Sequence, residues 1–281
     1  MIVAGIQMDI AWEDPPENFR RAEKMAHRAM EGMDWSAVSA GPGSTAAPPV
    51  TPRLLVFPEM FATGFSMNAG KVSAFAGETR DFMAGLAARL SVFVLGGYAE
   101  PSDPLPANAC SIFAPDGREI LHYRKLHPFS LAKEDRHYCG GETVETVELE
   151  GVRVTPLICY DLRFPEPFRP AARTTDLYCV IANSPDKRRE AWSTLLRARA
   201  IENQAFVLGV NRVGIGSGEP HAGDSALVDP MGAVAAAAPV YEEGVFVGEV
   251  DPQEVVRVRR RLSFLKDRRP ELYRRLEDSF S

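Results

Sequence analysis

The chain has 281 residues, of which 45% are hydrophobic and 25% charged, and this suits one large α/β domain or two small ones. Its formal net charge of -6 disfavours a nucleic-acid partner, and no run of about 18 apolar residues could span a membrane. The four cysteines lack CxxC spacing and zinc-finger histidines, which disfavours a disulfide scaffold or a metal site. No cofactor is predicted.

The first elements are a strand, a helix and a variable segment. Residues 2–7 are apolar and predict a strand; a signal peptide is disfavoured because no basic region precedes them and Asp9 follows soon after. The expected location is therefore the cytoplasm. Residues 14–33 predict a helix entered through Pro15 and Pro16, which suit a first turn. Residues 36–52 are rich in Gly, Ala, Ser and Pro and predict a flexible surface insertion.

Two apolar strands in the middle of the chain end on a charged residue. Residues 54–57 run directly into Pro58-Glu59, and residues 120–124 run into Lys125. Between them lie an amphipathic helix around residues 82–90 and a strand at 92–95. The dipeptides at 116–117 and 150–151 have turn chemistry, and predict hairpins joining 110–113 to 119–123 and 146–149 to 153–158.

A third strand ends on a thiol. The apolar residues 152–158 lead to Cys159, and the polar residues and Pro165 that follow require a turn. Strands at 177–182, 205–211, 225–228 and 245–250 and a helix around 192–199 complete the pattern. We expect a single domain over residues 1–281 with a C-terminal tail from about residue 252. The basic residues of this tail alternate with acidic ones, which favours a solvated or dimer-facing helix and a homodimer.

The three strand ends together supply the groups needed for acyl transfer. An isolated cysteine is more often a buried core residue than a nucleophile. Here, however, Glu59 supplies a base, Lys125 an oxyanion stabiliser and Cys159 a nucleophile, each just past an apolar strand. A small-molecule substrate is therefore the expected partner.

Five ordered motifs, at residues 57–61, 123–127, 159–166, 197–204 and 223–232, make the chain resemble the nitrilase superfamily of carbon–nitrogen hydrolases from residue 2 to about residue 251. The resemblance implies a four-layer αββα sandwich and a catalytic Glu59, Lys125 and Cys159. Cys159 would form a thioester with an amide substrate, and Lys125 with the backbone N–H of Tyr160 would stabilise the oxyanion.

A second carboxylate often assists in this superfamily, and Glu134 occupies the matching place. The resemblance implies that Glu134 hydrogen-bonds Lys125 or positions the substrate amide. The alternative is a salt bridge with Lys133 or Arg136. His127, His137 and His221 are expected to lie behind the site or on the surface, because Glu59 and Lys125 already fill the roles that a histidine could take.

The motif details look most like the omega-amidase branch, which acts on 2-oxoglutaramate and 2-oxosuccinamate. An N-carbamoyl amino-acid hydrolase and a general aliphatic amidase stay as alternatives, and a catalytically silent binding protein is a remote one. The expected substrate contacts are Tyr160, Arg163, Phe61, Phe65 and Trp192. In an extended segment Arg163 would lie on the same side as Cys159 and could bind a substrate carboxylate, or it could form an ion pair with Asp161 or Glu202.

Overall fold

The computed structural model describes residues 1–31 and 51–280. Two six-stranded sheets form its centre. The first contains, in spatial order, β14 (Gly244–Glu249), β1 (Ile2–Gln7), β2 (Leu54–Val56), β3 (Phe93–Glu100), β4 (Ala107–Phe113) and β5 (Glu119–Arg124). The second contains β13 (Val234–Ala237), β12 (Ala226–Val228), β9 (Phe206–Asn211), β8 (Leu177–Ala182), β7 (Val152–Ile158) and β6 (Val147–Leu149).

The remaining elements are helices and one small hairpin. The helices are α1 (Pro15–Met30), α2 (Ala69–Ser73), α3 (Ala76–Leu90), α4 (Phe168–Ala171), α5 (Arg189–Asn203), α6 (Pro252–Arg261) and α7 (Pro270–Phe280). The hairpin pairs β10 (Val213–Gly216) with β11 (Glu219–Ala222) and was not predicted from the sequence. None of the helices within the described ranges is long and apolar enough to cross a membrane.

The side chains of the first sheet alternate between two cores, as the period of a β-strand requires. In β2, Leu54 and Val56 pack toward the second sheet, while Leu55 packs with α1 and α3 on the opposite face. Helix α5 covers the other face of the second sheet through Trp192 and Leu196. The layers therefore run helix, sheet, sheet, helix, and the predicted αββα sandwich is confirmed.

Strand direction brings the ends of several strands to one edge of the sandwich. β2 is parallel to β3, and two antiparallel pairings then make β5 run in the same direction as β2. In the second sheet β7, β8 and β9 are mutually parallel. The residues that follow β2, β5, β7 and β8 lie where open α/β sheets bind ligands.

The predictions for the insertion at 36–52 and for the C-terminal tail have different outcomes. The predicted insertion at 36–52 lies outside the described residues except for its last two positions, so a single domain over 1–281 stays a prediction. The C-terminal tail begins with α6, whose Val255 is buried. The Arg259 guanidinium also donates hydrogen bonds to the backbone carbonyls of Thr175, Asn203 and Gln204, at 2.6, 3.3 and 3.1 Å. Helix α6 is thus anchored to the body of the sandwich.

Candidate active site

Glu59 lies in a tight turn directly after β2. Met60 has a positive φ of 43°, so the backbone turns immediately beyond the carboxylate. Neighbouring β3 comes so close that a Cβ on Gly97 would lie 2.9 Å from Glu59 Cα, which explains a residue without a side chain there. The Glu59 side chain is fully buried beneath this contact.

Lys125 joins Glu59 to Glu134. Its Nζ lies 3.1 Å from Glu59 Oε1 and 2.9 Å from Glu134 Oε2, and all three side chains are buried. The Phe129 backbone N–H also donates to Glu134 Oε2, at 2.5 Å. Glu134 thus contacts Lys125, as the resemblance implied, and it forms no salt bridge with Lys133 or Arg136.

The charge of Lys125 is stabilised by this arrangement. Burial lowers the pKa of Lys125, but the charges of Glu134 and then Glu59 more than offset that effect and hold the pKa above its ordinary value. An ammonium is therefore present at neutral pH. It lies 5.1 Å from the centre of the Phe65 ring, which forms part of the pocket wall.

Cys159 follows β7 at a sharp bend. Its φ is 45°, an uncommon value outside glycine, and residues Cys159–Arg163 continue as a 3-10 turn. Burial raises the pKa of the Cys159 thiol and the charge of Glu59 raises it further, while Lys125 only partly opposes them. The thiol is therefore protonated in the resting protein, and needs a base when it attacks. Cys159 itself is only partly exposed.

Two asparagines that the sequence analysis missed hold the carboxylates in place. Asn108 Nδ2, from β4, donates to Glu59 Oε1 at 2.7 Å and to Glu134 Oε1 at 2.9 Å. The Asn183 backbone N–H, just after β8, donates to Glu59 Oε2 at 2.8 Å. A polar Asn108 within the apolar stretch of β4 was the one available signal, because a buried amide requires partners.

Above these groups lies a cavity of about 390 Å³. Lys125 and Cys159 line its floor, and Phe65, Tyr160 and Trp192 line its walls, where the sequence analysis had expected them. The Trp192 indole is fixed by a 2.9 Å hydrogen bond from its Nε1 to the Asp224 carbonyl. The Tyr160 backbone N–H belongs to the first turn after Cys159, where amides have no partner within the turn.

The expectation that Phe61 contacts substrate is wrong. Phe61 is fully buried and stacks on Phe57 with ring centres 4.9 Å apart, and it also packs against Phe19 and Phe82. It belongs to the core between the first sheet and its helices, not to the pocket wall. Because the backbone turns at Met60, the Phe61 side chain does not follow the Glu59 side chain toward the site.

Arg163 lines the pocket, but the two geometries expected for it are both corrected. The segment after Cys159 is a 3-10 turn, so Arg163 and Cys159 do not share one side of an extended chain. Asp161 instead accepts hydrogen bonds from Tyr123 Oη at 2.7 Å and from the His127 backbone at 3.0 Å, and Glu202 pairs with other arginines. Arg163 is exposed and has no carboxylate partner among the described residues.

The histidines lie around the site without reaching the thiol. His127 stacks on Phe164 with ring centres 3.9 Å apart and pairs with Asp161. His221 is buried and lines the pocket, and burial together with the charge of Arg212 lowers its pKa to about 4. It is therefore neutral near pH 7 and cannot act as a cationic partner for the thiolate.

Sequence comparison relates the chain to known enzymes. The carbon-nitrogen hydrolase family model matches residues 2–260. The omega-amidase YafV of Escherichia coli strain K12 is 34% identical over 238 residues, which cover 84% of each chain. The 2-oxoglutaramate amidase of Bacillus subtilis is 31% identical over 275 residues, covering 96% of this chain and 98% of the relative.

Structural comparison agrees. XC1258 from Xanthomonas campestris, a CN-hydrolase superfamily protein with an arsenic adduct in its active site, superposes with a TM-score of 0.83 at 30% identity. That match covers 96% of this chain and 97% of the other. An amidase from Nesterenkonia sp. has the same fold, with a TM-score of 0.82 at 24% identity and coverage of 98% and 96%. With a family match along nearly its whole length, the chain belongs to the carbon-nitrogen hydrolase family.

Proposed function

We propose that the protein is an omega-amidase, which hydrolyses the terminal amide of a short dicarboxylic skeleton to an acid and ammonia. The observation that carries the proposal is the placement of Cys159 and Lys125 in the lining of one cavity, with the buried carboxylate of Glu59 in contact with Lys125. Such a site combines a nucleophile, a base and a fixed positive charge, which are the requirements of acyl transfer through a thioester.

In the first half of the reaction, Glu59 takes the proton of the Cys159 thiol as the sulfur attacks the amide carbon. The carbonyl oxygen becomes an oxyanion, which the Lys125 ammonium and the Tyr160 backbone N–H stabilise. The C–N bond then breaks, and Glu59 passes its proton to the nitrogen so that ammonia leaves. The raised pKa of Cys159 supports this order, because a protonated thiol needs a base at the moment of attack.

In the second half, water attacks the thioester and Glu59 takes its proton. The C–S bond breaks, the acid is released, and the sulfur recovers its proton from Glu59. Glu134 takes no proton in this scheme. Its role is to hold Lys125 by a direct hydrogen bond. It also accepts a hydrogen bond from the Asn108 amide, which donates to Glu59 Oε1, the same oxygen that Lys125 contacts.

Two observations support a dicarboxylic substrate. The relatives named omega-amidase and 2-oxoglutaramate amidase align over 84% and 96% of this chain. The cavity of about 390 Å³ lies at the small end of the range for ligand sites, roughly 300–1,000 Å³, and arginine and lysine side chains line it. We therefore propose 2-oxoglutaramate or 2-oxosuccinamate as the substrate class.

The test is ammonia release from a panel of purified amides. We expect 2-oxoglutaramate and succinamate to be hydrolysed with a kcat/KM at least about tenfold above that of butyramide, a difference worth about 1.4 kcal/mol. Equal rates on charged and neutral amides would instead indicate a general aliphatic amidase. Faster release from an N-carbamoyl amino acid would indicate the carbamoyl hydrolase, and no hydrolysis of any compound would indicate a binding protein.

We further propose that the protein acts as a homodimer in the cytoplasm, without a nucleic-acid or membrane partner. Support for the dimer comes from exposed apolar side chains near the C-terminus, where Phe264, Tyr273 and Leu276 are 55%, 43% and 46% exposed. Sedimentation equilibrium of the wild-type protein tests it, and a single species with the mass of one chain would contradict it.

A further inference from the structure

Three consecutive cations, Lys187, Arg188 and Arg189, lie at or directly beside the pocket, and only the first two line it. Two of the three are already neutralised. Lys187 Nζ lies 2.7 Å from Glu219 Oε1, and Arg189 makes a bidentate pair with Asp224 at 2.9 and 3.0 Å. Arg188, between them, has no carboxylate hydrogen-bonded to it in the part of the chain that the structure describes. The pKa of Glu219 is lowered chiefly by the hydrogen bond from Lys187, and the charge of Arg188 is only a lesser cause.

Arg188 is nevertheless held in a defined position. It is half-buried, it lines the pocket, and its Cζ lies 4.5 Å from the centre of the Phe129 ring. A guanidinium that rests on an aromatic face keeps its N–H edge free for a bidentate carboxylate. The backbone of the same Phe129 donates to Glu134, so one residue fixes both this arginine and the catalytic floor.

The charged groups around Lys125 explain why a substrate with a carboxylate requires a further cation in the pocket. Two carboxylates, Glu59 and Glu134, face the single ammonium of Lys125. A substrate that carries its own carboxylate adds a further negative charge to this space, so its binding requires a positive group beyond Lys125. Arg163 is the other arginine of the pocket wall without a carboxylate partner in the described ranges, but it is exposed, and no aromatic ring of those ranges lies against its guanidinium.

We infer that Arg188 binds the distal carboxylate of the substrate and is the residue that makes the protein select amides of dicarboxylic acids. The inference rests on the proposed omega-amidase function and assigns its specificity to one side chain. Phe129 acts as the support that orients the guanidinium. The neutral amide butyramide has the same chain length as succinamate and lacks only the carboxylate, so this pair isolates the contact.

The experiment compares kcat/KM for succinamate and butyramide in the wild-type protein, Arg188→Met, Arg188→Lys and Arg163→Met. Arg197→Met, which removes an exposed arginine of α5, the helix that directly follows Arg188, away from the pocket, is the matched control. We expect Arg188→Met to lower the succinamate-to-butyramide ratio by about tenfold or more, the effect of losing one charge-assisted contact. Arg188→Lys should keep part of the ratio, and Arg163→Met and the control should keep most of it.

The outcomes separate the two proposals. If the wild-type protein does not favour succinamate, the omega-amidase function fails before any variant is considered. If the wild-type protein favours succinamate and Arg188→Met retains the full ratio, or Arg163→Met loses it instead, only the role of Arg188 is overturned. Should Arg188→Met be too slow to assay, succinamate binding to Cys159→Ala with and without Arg188→Met gives the same comparison by calorimetry. Unchanged affinity there would also overturn the role.

Discussion

Replacing Lys125 by methionine tests the charge balance of the buried floor. The change removes the ammonium that joins Glu59 to Glu134 and leaves two carboxylates, both 0% exposed, around the Asn108 amide. Removing one partner of a buried ion pair costs about 3–5 kcal/mol, because the remaining charge is not compensated. We therefore expect the free energy of unfolding of Lys125→Met to fall by about that amount at neutral pH.

The loss should depend on pH in a defined direction. Without Lys125, the two buried carboxylates have no ammonium between them, and their repulsion destabilises the folded protein while both are ionised. Acid removes one of the two charges and so relieves the repulsion. The deficit relative to wild type should be smallest in acid and largest near neutrality.

A second change should repair the first. Glu134→Gln in the Lys125→Met background removes one of the two facing carboxylates, and the free energy of unfolding should recover by about 2 kcal/mol or more. Urea unfolding at about pH 5 and about pH 8 measures each variant, with Lys24→Met, an exposed lysine of α1, as control. A Lys125→Met protein as stable as wild type at the higher pH, or a double variant no more stable than the single one, would refute the reasoning.

Three further predictions concern catalysis. Cys159→Ala should abolish ammonia release with an unchanged circular dichroism spectrum, whereas Cys139→Ser should retain most activity; wild-type turnover in the first variant would end the thioester mechanism. Glu59→Gln and its double with Cys159→Ala should lose about the same turnover, since residues of one mechanism are strongly non-additive, and multiplicative losses would contradict this. Gly97→Ala should lower kcat about tenfold or more, because its Cβ would lie 2.9 Å from Glu59 Cα, while Gly70→Ala, with nothing within 4 Å, should not.

The sequence predicted the strand ends because that information is local. An apolar run followed by a turn residue identifies where Glu59, Lys125 and Cys159 leave their strands, and the structure brings all three to one edge. The predicted strand at residues 177–182 is confirmed as β8 with the same bounds, and both predicted hairpins are present within a residue or a few of their expected ends. The catalytic roles of Glu59, Lys125 and Cys159 stay predictions until the variants above are assayed.

The interpretations that failed depended on backbone geometry that a residue pattern does not encode. Arg163 was placed by assuming an extended chain after Cys159, where the structure has a 3-10 turn that begins with a positive φ. Phe61 was expected to contact the substrate, but Met60, which separates it from Glu59, also has a positive φ, and Phe61 lies in the other core. Asn108 and Asn183 come from strands whose neighbours in space could not be known before the sheet order.

The Asn183 amide that binds Glu59 has a consequence for how activity arises during folding. Glu59 follows a strand of the first sheet and Asn183 follows a strand of the second, so their 2.8 Å hydrogen bond crosses between the two sheets. Lys125 and Cys159 are divided between the sheets in the same way. Each sheet alone therefore carries an incomplete set of reacting groups. In a refolding experiment, circular dichroism would follow the formation of the strands, whereas the return of ammonia release would time the docking of one sheet on the other.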